Sequence, residues 1–125
     1  MIKKILIVDD SPIARKIMKT CLPKDRGYEI SEATNGQEGI DKYLSVKPDL
    51  TFMDLTMPKL DGYKATEEIK KIDKNAMIVA ATADIQPKSL ERIMALGAFT
   101  VLKKPPRKSS LEEILDKVEK QLTEK

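Results

Sequence analysis

Five polar residues with chemically useful side chains follow short apolar runs in this 125-residue sequence. They are Asp9, Asp10, Asp54, Thr82 and Lys104. If the runs are neighbouring strands of one parallel sheet, three carboxylates meet at its carboxyl edge, where such sheets bind ligands. Like charges about 4 Å apart repel by about 4 kcal/mol at an effective dielectric constant of about 20. The cluster therefore requires a cation, and an all-oxygen set of ligands favours Mg²⁺.

The same residues indicate phosphoryl chemistry. A carboxylate can attack phosphorus and form an acyl phosphate, which the protein need only align and neutralise. Asp54 is the predicted nucleophile because it follows the central third run. Asp9 and Asp10 would hold the metal, directly or through water, while Lys104 and the Thr82 hydroxyl would meet phosphoryl oxygens. One such aspartate alone would predict only a helix cap, but the whole set at one sheet edge predicts a site.

The elements that must position these residues alternate between strand and helix. Three continuous apolar runs are typical of central strands buried on both faces, one run alternates in polarity like an edge strand, and one is mixed. The predicted strands are Ile5–Val8, Tyr28–Glu32, Leu50–Met53, Met77–Ala81 and Phe99–Leu102. This order predicts an α/β fold of five βα units, in which helices cover both faces of a parallel sheet.

Helical patterns lie between and after the strands. The first helix is predicted to bury Ile13, Ile17, Met18 and Cys21, and the last has apolar residues at positions 111, 114, 115, 118 and 122. Start and stop signals agree with these helices. They are Ser11 before Pro12, Asn35 with Glu38, Ser110 with Glu113, and Gly97 at a helix end.

Length and composition favour one globular domain over residues 1–125, without a separate output module. Charged residues make up 34% of the chain and hydrophobic ones 41%, and no apolar run approaches the roughly 18 residues of a membrane span. The apolar start of the chain is interrupted by Asp9 and Asp10, so we interpret it as a strand and not as a signal peptide. We expect a soluble, cytoplasmic protein without a membrane partner.

Residue types that are missing exclude several kinds of site. The chain has no histidine and one cysteine, Cys21, which excludes Ser-His-Asp and Cys-His catalysis, His-ligated zinc and an internal disulfide. The net charge is only +3, and its mixed distribution predicts no nucleic-acid partner. The densest basic stretch, residues 103–108, is interpreted as a solvated loop before the last helix.

Four motifs together resemble the receiver domains of bacterial response regulators, and the resemblance covers the whole chain. The motifs are LIVDD at 6–10, DLTMPKLDG at 54–62, ATA at 81–83 and KP at 104–105. Each is weak alone, but their order and the Asp54-x3-Pro58-x3-Gly62 spacing make chance agreement improbable. The chain is similar in type to stand-alone chemotaxis receivers.

The resemblance implies a flavodoxin-like fold with strand order 2-1-3-4-5 and phosphorylation of Asp54 by a partner histidine kinase. It also implies Mg²⁺ held by Asp10, Asp54 and the backbone carbonyl of Thr56, with Asp9 in an outer shell. Thr82 would move toward the phosphoryl group and Lys104 would pair with it. A downstream protein would then read the surface of the fourth and fifth helices and the fifth strand. The peptide before Pro105 would be cis, which proline permits.

One departure from the family pattern concerns the switch. Val101 stands where many receivers carry an aromatic residue that changes rotamer on activation, and valine has no ring to move. Phe99 lies two residues earlier on the predicted strand, so it is expected on the same face as Val101, as part of the core. The phosphorylation chemistry does not depend on this position.

Three other functions remain open. A phosphate shuttle or sink would use the same site and cannot be separated from a switch by sequence. A phosphatase with an aspartate nucleophile typically needs a second aspartate two residues on, where Thr56 stands, so a turnover enzyme is not expected. A flavin or nucleotide binder lacks its phosphate cradle, because Asp9, Asp10, Ser11 and Pro12 provide no glycine-rich turn.

Overall fold

The computed structural model describes residues 1–57 and 60–123, in which strands and helices alternate along the chain. A short 3₁₀ helix, Lys24–Arg26, precedes the second strand. The strands are β1 (Lys4–Val8), β2 (Glu29–Ala33), β3 (Leu50–Asp54), β4 (Ile78–Thr82) and β5 (Thr100–Lys103). The helices are α1 (Pro12–Cys21), α2 (Gly36–Val46), α3 (Gly62–Ile72), α4 (Pro87–Ala95) and α5 (Lys108–Thr123).

All five strands pair in parallel, in the order β2-β1-β3-β4-β5. This order confirms the predicted flavodoxin-like fold. The last strand residues are polar at Asp54, Thr82 and Lys103, so β3, β4 and β5 each extend one residue beyond the apolar run that predicted them. The cause is that pairing uses the backbone, which continues through a polar residue as long as its partner strand does.

Helices cover both faces of the sheet. The face toward α1 and α5 packs around Phe52, with Met18 and Leu115 from the two helices. On the other face, α2 and α3 pack against β1 and β3, and α4 packs against β4 and β5. The helices therefore cover the two faces of the sheet, and loops form its carboxyl edge. No helix in the described part of the chain is both long and apolar enough to cross a bilayer.

The predicted apolar stripe of α1 is wrong at its outer positions. Met18 is buried, but Ile13 is 72% exposed and Ile17 is 41% exposed. Met18 and the C-cap residue Leu22 lie four positions apart on one face and are buried in the core, against which Cys21 also packs. Ile13 and Ile17 lie one position before Ala14 and Met18, about 100° round the helix, and therefore point toward solvent.

Most of the predicted helix signals are confirmed. Ser11 accepts a hydrogen bond from the Ala14 N–H and Asn35 accepts one from the Glu38 N–H. Gly97 has a φ of 107° directly after the last turn of α4. The predicted cap at Ser110 is wrong: the Leu111 N–H donates to the carbonyl of Arg107, so the helix is already formed when the chain reaches Ser110.

Candidate functional site

The register of the central strands brings the predicted carboxylates together. Val8 of β1 pairs with Met53 of β3, so Asp9 and Asp54, the next residue on each chain segment, reach the carboxyl edge at the same level. Asp10 follows at the open side of this edge. Carboxylate oxygens of Asp9, Asp10 and Asp54 all lie within 4.8 Å of one another. The predicted convergence of three acids is confirmed.

Lys104 supplies the positive charge between two of these acids. Its Nζ atom lies 2.6 Å from Asp9 Oδ2 and 3.0 Å from Asp54 Oδ1. The backbone N–H of Lys104 donates to the carbonyl of Thr82, which extends the contact between the ends of β4 and β5. The peptide that joins Lys104 to Pro105 is cis, as the resemblance implies. The ammonium group therefore offsets the repulsion that the sequence predicted.

Burial changes the proton affinity of both partners. It raises the pKa of the Asp54 carboxyl above its usual 3.8, because desolvation outweighs the opposing hydrogen bond and charge of Lys104. Burial alone would lower the pKa of Lys104, but its hydrogen bonds to Asp9 and Asp54 raise it above 10.5. The lysine therefore stays charged at neutral pH, and Asp54 is a more basic carboxylate than a solvated one.

The loop after β1 is held by contacts of both its backbone and its side chains. Asp9 Oδ1 accepts the Ser11 N–H at 2.9 Å. Arg15 of α1 donates from Nη1 to the Asp9 carbonyl oxygen at 2.7 Å and from Nε to Glu32 of β2 at 2.9 Å. Sequence reasoning missed Arg15, because an arginine beside Lys16 on an amphipathic helix has the pattern of a solvated face. A single sequence contains no pattern that distinguishes Arg15, which is held by these contacts, from the solvated Lys16.

The turn after β3 depends on Gly62. A Cβ atom at this position would lie 2.0 Å from the carbonyl oxygen of Asp54, so only glycine permits the approach of α3 to the predicted nucleophile. The α3 N-terminus is capped by Asp61, whose Oδ1 accepts the Lys64 N–H. These contacts explain the glycine in the Asp54-x3-Pro58-x3-Gly62 pattern, whereas Pro58 lies outside the described residues.

Comparison with known proteins gives the family. A model of the response regulator receiver domain matches residues 5–116. The chain belongs to this receiver domain family. The chemotaxis protein CheY of Thermotoga maritima is 42% identical over 119 residues, which are 94% of this chain and 98% of the relative. The sporulation initiation phosphotransferase F of Bacillus subtilis is 34% identical over 122 residues, which are 98% and 95% of the two chains.

Solved structures agree with the fold of this receiver. A chain of the CheX-CheY-BeF3-Mg complex from Borrelia burgdorferi superposes with a TM-score of 0.86 at 28% identity, over 93% of this receiver and 88% of that chain. A CheY-like receiver domain protein from Methanospirillum hungatei superposes with a TM-score of 0.88 at 26% identity, over 100% of both chains. The likeness therefore extends over the whole receiver.

The acid cluster of the receiver fits a hard divalent cation. Asp9, Asp10 and Asp54 offer only oxygen ligands in close proximity, and magnesium prefers one or two carboxylates together with waters and phosphate oxygens. Thr56 lies two residues past Asp54, after the end of β3, and is exposed. The role of its carbonyl as a ligand stays a prediction.

The two predicted switch residues, Thr82 and Val101, belong to β4 and β5. Thr82 is buried at the end of β4, and its Oγ1 accepts the Asp84 N–H at 3.0 Å. Val101 of β5 packs on the α4 side, in a cluster that contains Ile93. Phe99 packs against the opposite core, next to α5. The prediction that Phe99 and Val101 share a face is therefore wrong, because β5 begins only at Thr100 and strand alternation does not extend to Phe99.

Proposed function

We propose that this receiver accepts a phosphoryl group on Asp54 from a phosphohistidine of a partner kinase. The observation that carries the proposal is the setting of Asp54: its carboxylate ends the third strand, has the ammonium of Lys104 3.0 Å away and has two further acids within 4.8 Å. An Asp54 carboxylate oxygen bonds to phosphorus while the phosphorus–nitrogen bond to the imidazole breaks, and the released imidazole takes up a proton.

The neighbouring side chains align and neutralise the transferred group. Lys104 would pair with a phosphoryl oxygen, and the Thr82 hydroxyl would donate to another. Asp10, Asp54 and the Thr56 carbonyl would hold Mg²⁺, with Asp9 acting through water. When bound, the ion neutralises charge on the phosphoryl oxygens.

We infer that the product is a signal and not the turnover of a substrate. Thr56 stands where an aspartate phosphatase carries its second acid, so this receiver has no evident general acid for turnover. Phosphorylation would shift an existing equilibrium between an inactive and an active conformation of the surface formed by α4, β5 and α5. A separate protein would bind this surface according to its conformation. The relatives that are named chemotaxis protein CheY support chemotaxis as the pathway.

The test uses a small phosphodonor in place of the kinase. The protein is incubated with acetyl phosphate and Mg²⁺, and the intact masses of wild type and Asp54→Asn are compared. We expect the wild type to gain one phosphoryl group and the variant to gain none. A wild type that gains no mass, or a variant that gains as much, would contradict the proposal.

A second function, the relay of phosphate to another protein, uses the same site. The similarity to sporulation initiation phosphotransferase F over 98% of the chain supports it. The lifetime of the acyl phosphate distinguishes the two functions. A relay protein would lose its phosphate rapidly when a histidine phosphotransfer protein is added, whereas a switch would lose it at a rate that this addition does not change.

A further inference from the structure

Arg15 joins the acid cluster to β2, the outermost strand of the sheet. Its guanidinium donates from Nη1 to the Asp9 carbonyl at 2.7 Å and from Nε to Glu32 Oε1 at 2.9 Å. The side chain is only 14% exposed. Glu32 is held in turn by Lys19, whose Nζ lies 2.9 Å from Oε2. Two acceptors therefore fix the guanidinium, one on the loop after β1 and one on β2.

The contact between Arg15 and the backbone also orients the next residue, Asp10. The Asp9 carbonyl and the Asp10 N–H belong to one planar peptide group, so a bond to the carbonyl sets the orientation of the whole plane. Asp10 is exposed, and among the described residues no hydrogen bond or ion pair to its carboxylate is found. The direction of the Asp10 side chain therefore depends on the backbone that carries it.

We propose that Arg15 is a positioning residue for the divalent cation, which it serves by holding the peptide between Asp9 and Asp10. The inference rests on the proposed function, since it concerns the Mg²⁺ site of that mechanism. The Asp9 carboxylate has its own contacts with Ser11 and Lys104. Arg15 is therefore needed less for Asp9 than for Asp10.

The charge of Arg15 and its positioning contacts would change Mg²⁺ affinity in opposite directions. A guanidinium close to the cluster repels a divalent cation, and the neighbouring Glu32 offsets only part of this repulsion. If Arg15 acted through charge alone, its removal would strengthen Mg²⁺ binding. If it acts through position, its removal weakens binding. The sign of the change therefore separates the two roles.

Titration calorimetry with MgCl₂ tests the inference on wild type, Arg15→Ala, Arg15→Lys and Lys19→Ala. We expect Arg15→Ala to bind Mg²⁺ about tenfold more weakly, as is common for residues that orient metal ligands, and Lys19→Ala to stay within about twofold of wild type. Arg15→Lys should also bind weakly despite its charge, because one ammonium cannot replace the fork that joins the carbonyl to Glu32.

Unfolding by urea in EDTA provides the readout of structure alone. Arg15→Ala and Lys19→Ala should both lose some stability, since both remove a partner of Glu32, but only the former should lose Mg²⁺ affinity. If Arg15→Ala does not fold, the Mg²⁺ affinities of Arg15→Lys and Lys19→Ala are compared instead, and Arg15→Lys should bind the ion more weakly. A variant of Arg15 that binds Mg²⁺ as tightly as wild type, or more tightly, would overturn the inference and leave the proposed function intact. A wild type that does not bind Mg²⁺ would overturn both.

Discussion

The Nζ atom of Lys104 lies 3.0 Å from Oδ1 of Asp54, although β4 lies between β3, which ends at Asp54, and β5, which ends one residue before Lys104. Because the ammonium also contacts Asp9, one cation joins the ends of β1, β3 and β5. The lysine is 23% exposed and both acids are nearly buried. Removal of the lysine would leave two facing carboxylates that water reaches poorly.

Lys104→Met should therefore destabilise the protein. We expect a loss of about 2 kcal/mol in the free energy of unfolding at neutral pH, because buried charges that lose their partner keep their desolvation cost. Urea titration in EDTA measures it. Added Mg²⁺ should restore more stability to the variant than to wild type, since the ion then replaces the missing cation.

Lys103→Met is the matched control for this variant. Lys103 is exposed at the end of β5, and its replacement should change stability by no more than about 0.5 kcal/mol. Equal stability of the two variants would contradict the role given to the Lys104 ion pairs.

Gly62→Ala should damage the turn after β3. Its new Cβ would lie 2.0 Å from the carbonyl oxygen of Asp54, and we expect a loss of about 3 kcal/mol, at the upper end of overpacking costs. Gly27→Ala is the comparison, because Gly27 has a φ of 67° but no atom within 4 Å of the added methyl group. There we expect a loss of about 1 kcal/mol from backbone conformation alone. Similar losses in both variants would argue against a close approach at Gly62.

Much of the site could be predicted because apolar runs end where the sheet ends. Asp54 and Lys104 follow such runs, and parallel pairing then places them at one edge. The register that makes Asp9 level with Asp54 is a tertiary property, and the bridging position of Lys104 depends on it. The sequence thus predicts the members of the cluster, whereas their contacts come from the packed sheet.

The wrong and missed predictions concern positions whose structure depends on how a helix packs against the sheet and not on the local sequence pattern. Ile13 fits the apolar period of α1, yet the helix turns it to solvent. Ser110 with Glu113 has the form of a capping box, but α5 begins at Lys108. Arg15 has no pattern that distinguishes it from Lys16, because its partners on the loop after β1 and on β2 are set only when α1 packs against the sheet.

Glu32→Gln should lower stability in a pH-dependent way. Hydrogen bonds from Lys19 and Arg15 hold the pKa of Glu32 below its usual 4.5, against the opposing effect of burial. A lowered pKa contributes stability above the unfolded value and loses it as the pH falls through the folded value. Since Glu32 is 35% exposed, solvent screens the pairs, and we expect the variant to lose only about 0.5–1 kcal/mol at pH 7.

The stability difference should shrink below pH 4.5 and vanish once Glu32 is protonated in the folded wild type. Urea titrations between neutral pH and pH 3 would measure this change. Glu29→Gln, at the exposed start of the same strand, serves as the control. A difference between wild type and Glu32→Gln that stays constant with pH would show that the effect is not ionic.

Val101→Tyr should alter partner binding more than the rate of phosphorylation. Val101 packs with Ile93 on the α4 side and lies outside the acid cluster, so a ring there would change the surface and leave the chemistry in place. Hydrogen exchange of the α4 amides before and after treatment with acetyl phosphate gives a readout without the partner. Val101→Ile, which adds no ring, is the control. Equal effects of the tyrosine on exchange and on phosphorylation rate would contradict this separation.

The most direct measurement locates the phosphoryl group on the chain. Wild-type protein is treated with acetyl phosphate in the presence of Mg²⁺ or EDTA, the acyl phosphate is reduced with borohydride, and peptides are sequenced by mass spectrometry. We predict that residue 54 alone is converted to homoserine, and only with Mg²⁺. Conversion at Asp9 or Asp10, or equal conversion of Asp54 in EDTA, would contradict phosphorylation of Asp54 in a magnesium-dependent site.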